Sequence, residues 1–379
     1  MKRPFALIGI TYLSVQAALF YLESDLAAAI STAVCFIGTI VSLFILKNRN
    51  LRHTVLGFCL TAAFASTIFS GYNIFVKQPI VDKYSEREIY VTATVLEQPT
   101  VQYDTYRYLI ETDSINGKIE KLKICLSTIN ELNVEEFDRI SCVLPLKECT
   151  KSQMIADGAF LQASVNKNFA YIVKKTDDKP LYYQAVKIRE NFADSFEQNM
   201  SQDCASLCRA VLLGEKTALS QEIQNDFTRC GVSFLIVVSG MHLAIISSFV
   251  FLCIKKIIKN RVLRSMIMLM CAFSFMAVTG FAPSVVRAGV MLAVVYSGKM
   301  FMRKGDSLNS LGIAALILTV PNPTAVADVG MLLSFTATLG IILWARKISV
   351  YIMGKFAKLK RLKKPVEFTV NLFAVSVSA

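Results

Sequence analysis

Histidine is almost missing from this chain: His53 and His242 are the only two in 379 residues. Hydrolytic metal centres draw on clustered imidazoles, such as a His-x-His-x-Asp-His run, and two histidines this far apart cannot supply one. The ten cysteines are scattered, and no Cys/His set has zinc spacing. Glu215-Lys216 is not preceded by the Gly-x-x-x-x-Gly of a phosphate-binding loop, so no nucleotide site is supported. Charged residues amount to only 18% and tryptophan occurs once. Neither a metallohydrolase nor a nucleotide-driven motor is expected from such material, and no cofactor is called for.

What is abundant is apolar surface. Hydrophobic residues make up 54% of the chain and the mean hydropathy is +0.48, which together exclude an ordinary soluble domain. The runs predict three N-terminal spans, Phe5–Leu22, Leu26–Leu46 and Thr54–Phe75. After a polar stretch a second block follows, at Gly231–Ile254, Ser265–Gly280, Pro283–Phe301, Leu308–Val320 and Val329–Ala345. Another apolar run starts at Val366 and stops at Ala379, short of the roughly 20 residues that cross a bilayer. The chain therefore reads as a fragment or a truncated reading frame.

Lysine plus arginine outnumber aspartate plus glutamate by 41 to 28, a net charge of +13, and position gives that excess its meaning. Lys47, Arg49 and Arg52 follow the second run, Lys255 to Arg264 follow Gly231–Ile254, and a dense set lies between Arg346 and Lys364. The alternate loops Glu23–Asp25, Phe281–Pro283 and Pro321–Ala327 carry neither Lys nor Arg. The positive-inside rule places the N-terminus and the basic loops in the cytoplasm and the Lys77–Asn225 region outside. Most of the charge is thus topogenic and does not argue for nucleic acid. Lys2 and Arg3 before the first run imitate a secretory signal, but no small-x-small cleavage site precedes the next run, so a retained anchor is expected.

The outer region reads as β structure. Ile89, Val91, Ala93 and Val95 alternate with Tyr90, Thr92 and Thr94, and Tyr106–Glu111, Glu120–Leu126 and Phe137–Leu144 continue the pattern. Asn116-Gly117 marks a tight hairpin. Five or so short strands in about a hundred residues fit a small closed barrel, whose kind periodicity alone does not distinguish. Cys125, Cys142 and Cys149 fall in this oxidising compartment, and Cys125 and Cys142 are candidates to bridge two strands. Pro180–Met200 then places Leu181, Ala185, Ile188, Phe192 and Phe196 at helical spacing, an amphipathic helix for the outer membrane surface or a channel mouth.

The most informative stretch is Gly231-Val-Ser-Phe-Leu-Ile-Val-Val-Ser-Gly-Met-His242, a polar and flexible interruption of an apolar run. It resembles the Gly-x-Ser-His-Leu-x-x-x-Ser-Gly-x-His signature of ComEC competence proteins, with Phe234 where that family commonly has histidine. Cys208-Arg-Ala-Val-Leu-Leu-Gly-Glu-Lys216 is similar to the element that leads into the family's competence domain. Thr279-Gly-Phe-Ala-Pro-Ser-Val-Val-Arg-Ala-Gly-Val-Met291 is similar to Thr-Gly-x-x-x-Ser-x-x-Arg-Ala-x-x-Met. Asp306, Asn309, Asn322-Pro, Asp328-Val-Gly330 and Leu333-Ser334-Phe335 follow the Asp-x-x-Asn … Asn-Pro … Asp-x-Gly-x-x-Leu-Ser series, with the final alanine offset to Ala337. The resemblance runs from about Val211 to Ala345, with weaker support on the N-terminal spans and the barrel.

The resemblance implies an α-helical polytopic membrane protein with an extracytoplasmic OB-like barrel inserted after the third transmembrane helix. The expected organisation is transmembrane helices over 1–76, the barrel over 77–176, amphipathic connecting helices over 177–229 and a competence transmembrane domain over 230–379. It implies a channel in a bacterial inner membrane that admits single-stranded DNA during natural transformation. An external DNA receptor, a cytoplasmic helicase-like motor and possible homo-oligomers come with it. Full-length relatives often add a metallo-β-lactamase-like domain, for which this chain has no histidine cluster. Two classes compete with the DNA channel, a small-anion transporter and a membrane-embedded enzyme; the barrel as a purely structural assembly module is a further alternative.

Physics gives the motif positions distinct readings. Arg287 lies inside a span, where a charge costs on the order of 2.5–3.5 kcal/mol; it is either a phosphate guide or half of an ion pair, for instance with Asp328. Ser239-Gly240 is either a broken helix beside a substrate path or ordinary small-residue packing. His242 is a pore-lining donor or a satisfied polar group between helices. A serine-hydrolase pairing of Ser239 with His242 is the weaker reading, since residues three apart need not be oriented for proton transfer. Ser334 completes the channel-path set with Ser239, Gly240, His242, Arg287 and Asp328, and Asp306 is expected to cap a helix from Ser307. On the barrel, Tyr103, Tyr106 and Tyr108 with Arg107, Lys121 and Lys123 offer stacking faces beside cations; the alternative is that the tyrosines simply pack the barrel.

Overall fold

The computed structural model describes residues 3–22, 33–34, 37–38, 49–97, 99–102, 105–166, 169–175, 180, 182–215, 219–232, 236, 238–302 and 305–355. The expected span Leu26–Leu46 lies almost wholly outside these residues, as do the run from Val366, Phe234 and Tyr103. The chain divides into two compact units, Met1–Ser70 with Ser297–Ala379, and Gly71–Tyr296.

Helices form where the apolar runs predict them. They are α1 (Pro4–Leu22) and α2 (Arg49–Tyr72), which continues through a π turn into α3 (Gln78–Tyr84). In the second apolar block they are α8 (Gly240–Ile257), α9 (Arg261–Val278), α10 (Pro283–Met300), α11 (Ser307–Thr319), α12 (Val329–Gly340) and α13 (Arg346–Lys355). Among the described residues five helical runs are long and apolar enough to cross a membrane: Pro4–Leu22, Leu51–Tyr84, Gly240–Ile257, Arg261–Val278 and Val329–Tyr351. The expected span at Leu308–Val320 is present as the shorter apolar helix α11. The span expected to begin at Gly231 instead starts its helix at Gly240.

Within the first unit α1 and α11 are in backbone contact. A Cβ on Gly9 would collide with the Gly312 carbonyl, and one on Gly312 with the Phe5 carbonyl. Small residues at such crossings let two helices approach closely in a lipid environment, where apolar burial alone gives no preference for helix over lipid. The contact is locked at its end: Arg3 Nε meets Asp306 Oδ2 at 2.8 Å, and Asn309 Oδ1 accepts the Ala6 N–H at 3.1 Å.

The second unit carries the barrel. Its strands are β1 (Arg87–Val95), β2 (Thr100–Gln102), β3 (Thr105–Ile115), β4 (Lys118–Ile119), β5 (Lys123–Thr128), β6 (Arg139–Glu148), β7 (Leu161–Val165) and β8 (Tyr171–Lys174). Five of them close in the cyclic order β1-β3-β5-β7-β6, with β1 pairing back onto β6; β2 and β4 flank β3, and β8 pairs β6. All pairings are antiparallel except β5 with β7. Asn116 (φ 48°) and Gly117 (φ 78°) make the β3–β4 turn, both in the left-handed region that a two-residue hairpin of this type requires. Ile89, Val91, Ala93, Tyr108, Ile110, Ile124, Leu126, Ile140, Leu144 and Leu146 form the interior. A short helix, α4 (Ser152–Ala156), joins β6 to β7.

Three helices lead on from the barrel: α5 (Tyr183–Asn199), α6 (Gln202–Cys208), which ends in a π turn to Leu213, and α7 (Gln221–Arg229). The amphipathic helix expected at 180–200 forms as α5. Val186, Arg189 and Ala193 are buried, whereas Ile188 and Phe192 are exposed. Arg189 is buried because two carboxylates, Glu136 and Glu215, stand against it.

Candidate functional site

The interruption at Ser239-Gly240 is a helix N-terminus set within the apolar run. Ser239 is extended (φ −133°, ψ 166°) and α8 begins at Gly240. His242 Nδ1 accepts the Ser239 backbone N–H at 3.1 Å, and Ser239 Oγ lies 3.1 Å from the same nitrogen. A neutral imidazole with its proton on Nε2 satisfies both contacts. Ser-Gly-x-His is thus a capping box in which histidine takes the place usually held by Glu or Gln. The pair that a three-residue spacing need not orient is within hydrogen-bonding reach, and the imidazole lone pair is engaged by the cap.

This N-terminus packs against α10. Ser284 Oγ donates to the Val238 carbonyl at 2.8 Å, and a Cβ on Gly240 would sit 2.7 Å from the Ala288 Cβ. Val238, Leu243, Ala272 and Val285 form the core between α8, α9 and α10. Arg287, one residue before Ala288, is buried at 9% exposure. The Ser-Gly-x-His and Ser-x-x-Arg-Ala motifs, 40-odd residues apart in sequence, therefore meet side by side.

The turn before α10 is held from the barrel side. Gly280 has φ +66°, and a Cβ there would lie 2.8 Å from Arg189 Nη1. Arg189 is buried between Glu136 of the β5–β6 loop and Glu215, whose Oε1 is 3.1 Å from Arg189 Nε. Arg209 Nη2 reaches Glu215 Oε2 at 2.9 Å, and Arg209 also pairs with Glu197. Arg189 and Glu136 lie in no motif, and nothing in the linear sequence marks them as partners. Glu215 stood within a recognised motif, but its neighbour Lys216 drew attention to phosphate instead.

The remaining polar motif residues lie in the first unit, where Asp306, Asn322 and Asp328 act as helix caps. Asp306 Oδ1 accepts the Asn309 N–H at 3.1 Å, capping α11 as expected. Asn322 accepts from Thr324 N–H at 3.2 Å and starts the 3-10 turn Pro323–Ala327. Asp328 accepts the Gly330 N–H at 2.9 Å and caps α12. Ser334 is a half-buried residue of α12 whose carbonyl accepts from Thr338. Away from water every orphan N–H of a helix start needs an internal acceptor, so capping residues recur at these positions. Arg287 and Asp328 belong to different units.

The barrel residues singled out in the sequence do not share a face. Tyr108 is 1% exposed, inside the barrel, and its hydroxyl accepts the Leu132 N–H at 2.8 Å. Tyr106 also packs against the interior. Arg107 alternates with them and so sits on the opposite face of the strand. Lys123 is tied to the Asp157 carbonyl at 3.1 Å, and Lys121 is exposed between β4 and β5. Tyr108 offers no ring to a base, a correction that follows from strand period two. Cys125 and Cys142 are both free and buried. Cys142 joins the interior, whereas Cys125 lies between the inward Ile124 and Leu126 and so faces out; the wall separates the expected pair. Burial pushes the Cys142 thiol up to about 12.

Beside the Arg189 chain lies a cleft of about 210 Å³ lined by Glu97, Glu131, Glu135, Glu136, Glu190 and Arg209 among others. Enclosure of the Glu97 carboxyl, with Asp157 and Glu136 nearby, pushes it up to about 7, although the residue as a whole keeps exposed surface. A carboxyl raised above its unfolded value of about 4.3 favours the fold when protonated. Its contribution is complete below about pH 4 and is lost as pH rises through 7, moderated by solvent screening. Melting curves between pH 5 and 7.5 should therefore show a smaller loss of stability for Glu97→Gln than for wild type. Parallel curves would show that the Glu97 carboxyl is not raised.

The described residues define a helical membrane protein that carries a five-stranded closed barrel. Residues 211–379 match the family described as Competence protein, so the resemblance to the ComEC competence family is shown for this part of the chain. Over 161 residues the chain is 24% identical to ComE operon protein 3 of Bacillus subtilis (strain 168), covering 42% of this chain and 21% of that protein. The match thus spans about a fifth of the curated relative's length. No solved structure matches the chain.

Proposed function

We propose that the protein takes part in DNA uptake for competence, as an inner-membrane conduit that passes single-stranded DNA to the cytoplasm. The observation that carries this reading is the Competence protein match over residues 211–379, two of whose motifs, Ser-Gly-x-His and Ser-x-x-Arg-Ala, meet at α8 and α10. The barrel, with its single parallel pairing and closed five-strand order, is read as OB-like and extracytoplasmic, with the N-terminus inside. Each nucleotide carries a negative charge against a potential worth about 2.3 kcal/mol per charge per 100 mV. A buried arginine one turn into α10 lowers the electrostatic barrier to a phosphate, and a separate cytoplasmic motor and an external receptor are part of the proposal. No catalytic role is assigned.

The test is uptake of fluorescently labelled DNA in a competent host lacking its own protein of this family, complemented by the full-length protein. Arg287→Ala should lower uptake by about tenfold or more at unchanged membrane abundance, the scale expected for loss of one charge-assisted contact. Unaltered uptake would remove Arg287 from the conduction path. The Ser239–His242 contact favours a second reading, a membrane-embedded hydrolase. Labelling of wild type but not Ser239→Ala by a fluorophosphonate probe would support it; absence of labelling leaves His242 as a cap.

A further inference from the structure

We propose that the barrel loop at Glu136–Phe137 positions the turn from which α10 starts, with Arg189 as the buried pin between them. Arg189 pairs with Glu136 of the barrel loop and Glu215 after α6, and its Nη1 fills the space that a Cβ on Gly280 would enter, 2.8 Å from that position. The ion pairs continue in alternating sign from Glu136 through Arg189, Glu215 and Arg209 to Glu197. Both carboxylates at the pin are as enclosed as Arg189 itself, with side-chain exposures of 5%, 3% and 6%. A buried pair that loses one member leaves an uncompensated charge, so the parts of such a chain are not independently mobile.

A second set of contacts follows the same route. Phe137 lies edge-on to Tyr182 (5.8 Å between ring centres) and Tyr183 (6.5 Å), Tyr182 packs on Phe281 (5.4 Å), and Phe281 on Phe273 of α9 (6.0 Å). Two of these aromatics have left-handed backbones, Phe137 at φ 70° and Phe281 at φ 52°. Bulky residues adopt that region only where the surroundings impose it, and such positions concentrate at clamps and switch regions. Here they sit at the two ends joined by the pin: one in the barrel loop, the other next to Gly280.

The mechanical consequence follows from what the turn carries. Pro283 opens α10 two residues after Phe281, Ser284 holds the Val238 carbonyl, and Ala288 abuts Gly240. Displacing the Gly280–Phe281 turn therefore moves the α8 break and Arg287 together. Arg189, Glu136 and Phe137 are positioning residues in this scheme. Their relevance to DNA rests on the conduit reading; the coupling between loop and turn does not.

Hydrogen exchange on the detergent-solubilised full-length protein separates the two. In Glu136→Gln, amides at 280–286 should exchange at least about tenfold faster, while β1 and β3 stay protected. Faster exchange confined to the 129–138 loop would overturn the proposal. Should Glu136→Gln also deprotect the barrel strands, Arg189→Lys decides, because lysine keeps the charge but cannot fork between two carboxylates. Increased exchange at both the loop and the 280–286 turn, with protected strands, is expected; wild-type exchange at the turn overturns the pin. Uptake of labelled DNA should fall in parallel with lost protection. Lost protection with full uptake overturns the positioning role in transport, and leaves the conduit reading to its own Arg287 test.

Discussion

Gly312→Leu is expected to remove nearly all correctly assembled protein from the membrane. A leucine Cβ at 312 meets the Phe5 carbonyl and the Ala6 Cα of α1, backbone atoms with no rotamer to escape into. Overpacking among side chains costs typically about 1–3 kcal/mol; here two helix axes must separate, so the cost lies above that range. Separation would also break the Asn309–Ala6 and Asp306–Arg3 contacts that lock the crossing. Gly298→Ala is the matched control, since a Cβ there has nothing within 4 Å. Size-exclusion profiles of fluorescent fusions should show a normal peak for the control and loss of the monodisperse peak for Gly312→Leu. A normal peak with unchanged melting for Gly312→Leu would mean that α1 and α11 do not touch at this point.

The second large effect is expected at Gly240, on DNA uptake. Its virtual Cβ lies 2.7 Å from the Ala288 methyl, closer than two carbons can sit, so even Gly240→Ala must push α8 from α10. The Ser284 bond to the Val238 carbonyl is stretched by the same movement. Uptake should drop about tenfold in Gly240→Ala, within the range of modest overpacking, with the protein still present in the membrane. The decisive measurement is the double variant. Ala288→Gly vacates the contested space at a helix-propensity cost of about 1 kcal/mol, and combining it with Gly240→Ala should restore most of the uptake. Contacting residues are where additivity fails. Simple addition of two losses would show that Gly240 matters for another reason.

The Gly240 effect concerns a residue that a linear reading names without explaining. The family spelling picks out Ser239, Gly240, His242, Asp306, Asn309, Asn322 and Asp328, and channel-lining is the functional reading for Ser239, Gly240, His242 and Asp328. In the fold, Ser239 and His242 cap α8, Asp306 caps α11, Asn309 serves α1, Asn322 the 3-10 turn and Asp328 α12. Recurrence of polar letters within apolar runs is what backbone satisfaction in lipid demands, before any substrate is considered. Arg287 is different in kind, since it lies in the body of α10.

Periodicity and composition were enough for the membrane character, the helices at Pro4–Leu22 and Ser307–Thr319, the Asn116-Gly117 hairpin and the inward set Ile89, Val91, Ala93 and Val95. Those are local consequences of side-chain spacing and solvent preference. Period two could also have separated Tyr106 and Tyr108 from Arg107, since the core residues around them fix which face is inside. Closure of β1 onto β6, the approach of Gly240 to Ala288, and the burial of Arg189 between Glu136 and Glu215 were decided by tertiary structure alone. Each depends on partners tens of residues away, and a charge or a glycine carries no sign in sequence of what will stand against it. An arginine becomes a core residue only when folding brings it carboxylates, and a glycine becomes indispensable only when another backbone arrives.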